Sequence, residues 1–154
     1  MAARVSAWHV PRWVPFFNPI ACRLLAAGVP MGPNGLITVR GRRSGLPRTT
    51  PITIVETSGR RWVLAPFGEV SWVLNLRAAG RATITQRRRQ EVVVATELAP
   101  AEVVVFFRDV LAPLVRRYGW LAMWIVRTID KIDIDDPVEA ANGRPIFELR
   151  RSAG

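Results

Sequence analysis

The sequence has 154 residues, of which 49% are hydrophobic, and a mean hydropathy of +0.15. These values exclude a disordered chain and fit one domain with a substantial core. The formal net charge is +10, and every cationic side chain except Lys131 is an arginine. Because guanidinium groups suit phosphates and carboxylates, the composition favours an anionic ligand or surface.

The chain contains one cysteine, Cys22, and one histidine, His9. An internal disulfide is therefore excluded, and we expect no metal site. Catalysis by a nucleophile and a histidine is also not expected, so an enzyme here takes its chemistry from a cofactor. The sequence has no apolar run of about twenty residues and no secretory signal, which predicts a cytoplasmic location.

Residues 1–33 are predicted to form a leader, followed by a single domain over residues 34–154. Prolines interrupt the leader, and the aromatic residues Trp8, Trp13, Phe16 and Phe17 lie between arginines. Aromatic rings beside cations are typical of a peripheral site on the inner face of the cell membrane. The alternative is that these rings pack over one end of the domain, and the sequence leaves both open.

Six short segments rich in β-branched residues, separated by glycine and proline, predict strands. They cover residues 36–39, 52–55, 61–65, 82–85, 91–94 and 145–149. A helix is predicted over 72–79, and a longer amphipathic helix begins near Pro100 and is expected to kink at Pro113. A short helix is expected to start at Asp136. The prediction is a mainly β (α+β) fold, a barrel of about six antiparallel strands with inserted helices.

The turn from Gly41 to Arg48 is the most informative segment. Its glycines allow a tight turn, and Arg42, Arg43, Ser44 and Arg48 surround it. Backbone N–H groups among guanidiniums make a good phosphate site. A solvated turn with exposed charges explains the same residues, and the local chemistry alone does not decide.

A second segment leaves a predicted strand at Ala65, Pro66, Phe67 and Gly68 and enters the helix that carries Trp72 and Asn75. Such a loop offers backbone groups and a ring edge to a flat heterocycle. The alternative is that Trp72 and Leu76, one helical turn apart, belong to the core.

Together these segments resemble the deazaflavin (F420)-dependent nitroreductase family of mycobacteria and other actinobacteria, in its short-loop branch. The resemblance lies in the turn from Gly41 to Arg48, in Pro51, in the hairpin through Gly59 and in the Trp-x-x-Asn-Leu helix at 72–76. It implies a split β-barrel, similar to FMN-binding split barrels, that binds coenzyme F420 in preference to FMN.

Carried over by position, the resemblance implies roles for eleven residues. Arg42, Arg43, Ser44 and Arg48 hold the phosphate and glutamate tail of the cofactor, and Thr50 is a polar groove residue. Ala65, Pro66, Phe67 and Gly68 line the deazaflavin ring, with Trp72 and Asn75 supporting that wall. Tyr118 is the candidate proton donor, because it is the only tyrosine.

The expected function is an oxidoreductase that transfers a hydride from reduced F420 to an electron-poor small molecule, a quinone or an activated alkene. The short loop between Gly68 and Trp72 weakens the case for nitroreduction. The alternative is a non-catalytic F420- or fatty-acid-binding protein at the membrane surface. A homodimer is expected from related barrels.

Nucleic-acid binding through Arg87, Arg88 and Arg89 is not expected, because no aromatic residues alternate with these arginines for base stacking. A charged hairpin tip exposed to solvent explains them equally well.

Overall fold

The computed structural model describes residues 34–128 and 130–153. Six strands form one sheet that closes on itself in the order β1-β2-β3-β6-β5-β4, with every neighbouring pair antiparallel. The strands are β1 (Asn34–Arg40), β2 (Pro47–Thr57), β3 (Arg60–Leu64), β4 (Arg81–Gln86), β5 (Arg89–Glu97) and β6 (Ile146–Arg151). The predicted six-stranded antiparallel barrel is confirmed. The division at residue 33 stays a prediction, because the leader lies outside the described residues.

Strand β2 begins five residues earlier than the sequence predicts. Its first residues pair with the end of β1, Val39 with Arg48 and Arg40 with Pro47. Strand β3 pairs only from Ile54 onward, so residues 47–53 have a partner on one side. A strand segment with one free side tolerates proline, which lacks an N–H for the ladder.

The alternation of side chains along the strands divides the apolar residues into two layers. Val63 and Phe147 point into the barrel and pack with Ile37, Ile54 and Val93. Trp62 and Leu64 point outward, where they pack against the helices. The ring of Trp62 lies edge-on to Phe106 with centroids 5.4 Å apart.

Within the described residues, five helices accompany the barrel: α1 (Ser71–Ala79), α2 (Pro100–Val105), α3 (Ala112–Tyr118), α4 (Trp120–Thr128) and α5 (Pro137–Ala141). Between α2 and α3 the chain forms a π-helical segment, Phe106–Leu111. The sequence predicts a helix kink at Pro113. In the structure the departure from α-helical hydrogen bonding is the π-helical segment, which ends before this proline. Pro113 has no N–H to donate to the preceding turn, so that turn has one hydrogen bond fewer to keep it α-helical. None of the helices in the described part of the chain has the length and apolar character needed to cross a membrane.

Two tight hairpin turns differ in their chemistry. Ser58 and Gly59 join β2 to β3 with φ of 52° and 74°, whereas Arg87 and Arg88 join β4 to β5 with φ of 50° and 65°. Two-residue turns with positive φ at both positions favour Asn-Gly, because a Cβ is strained there. The second turn therefore holds two arginines in an unfavourable backbone conformation.

We predict that the double substitution Arg87→Asn/Arg88→Gly stabilises the folded protein. Relief of the left-handed strain is expected to raise the free energy of unfolding by about 1 kcal/mol, measured by urea denaturation. Gly59→Ala is the matched control, since its Cβ meets no other atom within 4 Å and only backbone strain opposes it. It is expected to lower stability. A less stable double variant contradicts the prediction.

Candidate functional site

A groove of about 620 Å³ lies between the loop that joins β1 to β2 and the start of α1. It brings together most of the residues predicted to bind a cofactor: Arg42, Arg43, Ser44, Arg48, Thr50, Trp72 and Asn75. The remaining lining residues, which the sequence predictions did not include, are Gly41, Pro47, Thr49 and Ser71. The two informative sequence segments are therefore neighbours in space.

The loop over residues 41–46 is held by its own backbone. The N–H of Gly41 donates to the carbonyl of Leu46 at 2.8 Å, and the N–H of Gly45 donates to the carbonyl of Gly41 at 2.9 Å. A Cβ on Gly41 would lie 2.8 Å from Oγ of Ser44, and Gly45 has a φ of 72°. Neither position accepts another residue without strain. The Ser44 Oγ accepts from the N–H of Leu46, so its own O–H remains available to donate.

Asn75 joins this loop to helix α1. Its side-chain Oδ1 accepts two hydrogen bonds from Arg42, at 3.2 Å from the backbone N–H and at 2.8 Å from the guanidinium Nη1. Asn75 is buried although it is polar, and buried polar groups are retained where they are hydrogen-bonded. The two hydrogen bonds of Asn75 go to Arg42 in the 41–46 loop. Its predicted role as a support for the ring wall stays a prediction.

The groove carries positive charge that no acid neutralises. The side chains of Arg43 and Arg48 make no hydrogen bond or ion pair with any other described residue, and the backbone N–H groups of Arg43 and Ser44 also have no partner among them. The chain has no acidic residue before Glu56. Unpaired N–H donors beside free guanidiniums form a cradle for an anionic group.

The register of β2 explains how Arg48 and Thr50 reach the groove. Ile52 and Ile54 point into the barrel, and residues two positions apart share a face of a strand. Arg48 and Thr50 therefore continue the inward face beyond the apolar core. Thr49 alternates to the outer face, where its Oγ1 is 2.8 Å from Oγ1 of Thr38, and it lines the rim of the same groove.

The predicted ring wall, Ala65 to Gly68, is not among the residues that line the groove. Ala65 is fully buried in the barrel core, whereas Pro66 and Phe67 are half-buried. The N–H of Ala65 donates to the carbonyl of Pro145, and Gly68 turns the chain with a φ of 85°. Trp72, which follows this loop, packs beside Phe147 with ring centroids 6.4 Å apart. The contact of these four residues with a cofactor stays a prediction.

Arg144 supports this loop by a hydrogen bond to the carbonyl of Pro66, and the sequence analysis did not identify it. It is 2% exposed, and its guanidinium donates to three carbonyls, those of Pro66 at 3.2 Å, Ala140 at 2.9 Å and Lys131 at 2.7 Å. Burial lowers the pKa of Arg144. No local pattern marks this arginine, because its partners come from three separate segments.

A salt-bridge network holds the other side of the same loop. Arg77 on α1 contacts Glu69 in the loop at 3.1 Å and Glu97 at the end of β5 at 2.7 Å. The hydrogen bond to Glu97 raises the pKa of Arg77. This arginine is thereby neutralised, in contrast to Arg43 and Arg48.

Tyr118 lies at the end of α3, 68% exposed, and is not among the groove residues. Its predicted role as proton donor stays untested. No group of three metal-ligating side chains occurs within residues 34–128 and 130–153.

Residues 24–133 match the model of the family described as F420H(2)-dependent quinone reductase. The chain belongs to this family. Coenzyme F420 is therefore its cofactor, and the protein is an F420-dependent reductase. The resemblance found in the sequence is confirmed at this level.

Solved structures share the barrel at low sequence identity. A structure titled F420-H2-dependent reductase (FDR-A) is 22% identical, with 77% of this chain and 94% of that chain covered and a TM-score of 0.49. A protein of unknown function from Agrobacterium tumefaciens is 18% identical, with 96% and 59% covered and a TM-score of 0.53. A pyridoxamine 5′-phosphate oxidase-related, FMN-binding protein from Nostoc punctiforme is 9% identical, with 93% and 82% covered and a TM-score of 0.51.

The last two structures, with TM-scores above 0.5, show the fold of this reductase. Comparison with curated proteins gave no match.

We predict that Asn75→Ala lowers the stability of the reductase by about 1–3 kcal/mol, because two hydrogen bonds to Arg42 are lost from a buried site. Amide hydrogen exchange at Arg42 is expected to accelerate in the same variant. Asn75→Asp keeps an acceptor oxygen and is the matched control, with slow exchange at Arg42 retained. Unchanged exchange at Arg42 in Asn75→Ala would show that this contact does not hold the loop.

Asp130 provides a pH-dependent test of the packing around Arg144. Burial raises the pKa of Asp130 from 3.8 to about 6, and the charge of Arg144 opposes this shift. A carboxyl whose pKa is higher in the folded than in the unfolded state binds more protons when folded, so stability falls as pH rises from about 4 to 6.

We predict that Asp130→Asn stabilises the reductase at pH 7.5 by about 1–2 kcal/mol, somewhat below the full value of a two-unit pKa shift because the carboxyl is partly solvated. The gain is expected to shrink toward zero as pH approaches 4. Urea denaturation across this range measures both. A gain that is equal at pH 4 and pH 7.5 excludes Asp130 titration as the cause.

Proposed function

We propose that this reductase uses reduced F420 to reduce an electron-poor small molecule, a quinone or an activated alkene, with the cofactor held in the groove beside the 41–46 loop. The observation that carries the proposal is that the guanidiniums of Arg43 and Arg48 and the N–H groups of Arg43 and Ser44 have no partner among the residues that the structure describes. F420 has a phosphate and a glutamate tail, which are the anionic groups that such donors bind.

The groove residues fit the two halves of the cofactor. Arg43 and Arg48 have guanidiniums free for the phosphate and carboxylates, and the O–H of Ser44 remains a donor. Arg42 is partly committed to Asn75, so its role is to fix the loop and add charge. Two of the seven groove residues that were predicted to bind cofactor lie outside the 41–46 loop, Thr50 on β2 and Trp72 on α1.

Thr50, Trp72 and the loop from Ala65 to Gly68 form the proposed ring side of the site. Pro66 and Phe67 are the loop residues whose side chains are partly exposed, whereas Ala65 and Gly68 are buried and contribute through the shape of the backbone. Arg144 holds the carbonyl of Pro66 and Arg77 holds Glu69, so the loop is fixed at both ends. A fixed wall orients a flat ring and excludes water from it.

When bound, reduced F420 supplies a hydride to the substrate. None of the described residues that line the groove is an acid, a histidine or a tyrosine. Besides glycine and proline, the lining consists of arginines, threonines, serines, Trp72 and Asn75. We therefore assign the completing proton to solvent rather than to Tyr118. The protein binds, orients and shields, which is the usual share of an enzyme whose cofactor performs the chemistry.

A second function, binding of a lipid or of F420 at a membrane surface without catalysis, is favoured by one observation. Helix α4 exposes Trp120, Leu121, Trp124 and Ile125, with Trp120 80% exposed. Exposed apolar patches of this kind are typical of interaction sites, and tryptophans are enriched at membrane interfaces. This face also suits a lipophilic quinone, so it is compatible with the reductase.

We predict that the full chain binds F420 and does not bind FMN with comparable affinity. Arg43→Ala and Arg48→Ala are each expected to weaken F420 binding by about 10-fold or more, the usual effect of losing a hydrogen bond to a charged group. Fluorescence titration measures the affinity. Oxidation of reduced F420 by a soluble naphthoquinone is expected to slow in parallel.

Arg108→Ala is the matched control, because Arg108 is exposed, is paired with Asp109 and lies outside the groove. Its affinity for F420 is expected to match that of the unaltered chain. An equal loss of F420 affinity in all three variants would show that net charge alone, and not the groove, determines the affinity. If the protein binds F420 but does not reduce the quinone, the result favours the non-catalytic binding function over the reductase function.

A further inference from the structure

A second basic cleft runs along the barrel from Arg81 to the β4–β5 hairpin, and the hairpin lies at the end of the barrel opposite the groove. Its volume is about 1260 Å³, and its charged lining residues are Arg61, Arg81, Arg87, Arg89, Glu91 and Arg151. The hairpin of Arg87 and Arg88 lies near the start of β1, since Leu36 pairs with Thr85, whereas the 41–46 loop follows the end of β1. The length of β1 separates this hairpin from the 41–46 loop by about 20 Å.

The strand register explains why charged side chains meet there. Val63, Val93 and Leu149 point into the barrel. Arg61, Glu91 and Arg151 each lie two positions from one of them and therefore share the inward face. The apolar interior of the barrel thus ends in a set of charged side chains.

Glu91 organises this end. Its carboxylate contacts Arg61 at 2.8 Å and Arg151 at 2.7 Å. The hydrogen bonds from these two arginines lower the pKa of Glu91, so it stays ionised. The single acid holds two guanidiniums side by side but cannot neutralise the five arginines of the cleft.

Two arginines at the hairpin, Arg87 and Arg89, add charge to the cleft. The side chains of Arg87 and Arg89 make no hydrogen bond or ion pair with another residue in the described ranges. Arg87 and Arg88 also occupy backbone positions with φ of 50° and 65°. Strained residues persist where the surrounding structure or a function retains them.

We propose that this cleft binds a ligand that carries two or more phosphate groups. Several guanidiniums converging on one concave surface bind clustered phosphate oxygens. The lining contains no aromatic side chain, so it offers no stacking platform for nucleic-acid bases. The site is separate from the F420 groove and does not depend on the proposed reduction.

The test is calorimetric titration of the full chain with inorganic tripolyphosphate at physiological ionic strength. Because the groove also offers donors for phosphate, the titrated protein carries Arg43→Ala/Arg48→Ala, and one saturable equivalent is expected for it. Adding Arg87→Ala/Arg89→Ala to this variant is expected to weaken binding at least 10-fold. The absence of saturable binding, or affinity that the added substitutions leave unchanged, overturns the proposal.

A folding defect is excluded by the turn variant Arg87→Asn/Arg88→Gly, which removes two cations and relieves backbone strain. It is expected to bind tripolyphosphate more weakly while unfolding at a higher urea concentration. Retention of full affinity in this variant counts against the hairpin as part of the site.

Two further titrations identify the source of the phosphates. Binding to phosphatidylglycerol vesicles that depends on Arg87 and Arg89 and is displaced by tripolyphosphate supports lipid headgroups as the source. Tripolyphosphate binding without vesicle binding supports a free oligophosphate. Tight binding to duplex DNA through the same arginines, with tripolyphosphate unable to compete, overturns the proposal in favour of a nucleic-acid site.

Discussion

Strand β6 closes the barrel, and the positions of both charged ends depend on that closure. It lies between β3 and β5 and pairs with each along most of its length. Without it these two strands would have open edges, which proteins avoid, and Phe147 and Leu149 would be missing from the interior. The closure is long-range, as the Arg60–Glu148 ion pair joins residues 88 positions apart. The loop entropy lost in bringing such segments together is recovered by burial along β6.

The residue that connects closure to the proposed cofactor site is Arg144, two positions before β6. Its guanidinium holds the carbonyl of Pro66, so the start of the closing strand fixes the loop that follows β3. The same side chain reaches Lys131 and Ala140, which brings the helical layer into register with the barrel. The family match ends at residue 133, so Arg144 lies in the part of the chain beyond the match. The shape of the proposed ring side therefore depends on a residue outside the matched segment.

Local patterns were sufficient for the six strands, for α1 with its ending at Gly80, and for the start of α2 at Pro100, because period, glycine and proline act within a few residues. The 41–48 turn and the Trp72–Asn75 helix were identifiable for the same reason. The contact of Asn75 with Arg42, 33 residues away, was not, nor were the three carbonyls around Arg144. Both depend on which segments the closed sheet brings together. The early start of β2 also depends on pairing with β1, which overrides the turn propensity of Pro47.

The arrangement of charge explains how a chain with a net charge of +10 sustains two separate basic sites. Arginines on the barrel wall and helices, such as Arg60, Arg77 and Arg116, are paired with acids. Among the described residues, the arginines that line a cavity without an acidic partner lie mainly at the two ends of the barrel, Arg43 and Arg48 at one end and Arg87 and Arg89 at the other. Repulsion between like charges there opposes folding. An anion bound at either end relieves that repulsion and stabilises the folded chain by mass action. Because the ends are about 20 Å apart and the screening length at physiological salt is about 8 Å, relief at one end is scarcely felt at the other. An anion at the hairpin therefore leaves the electrostatics of the proposed F420 groove nearly unchanged, and coupling between the two proposed sites has to pass through the barrel itself.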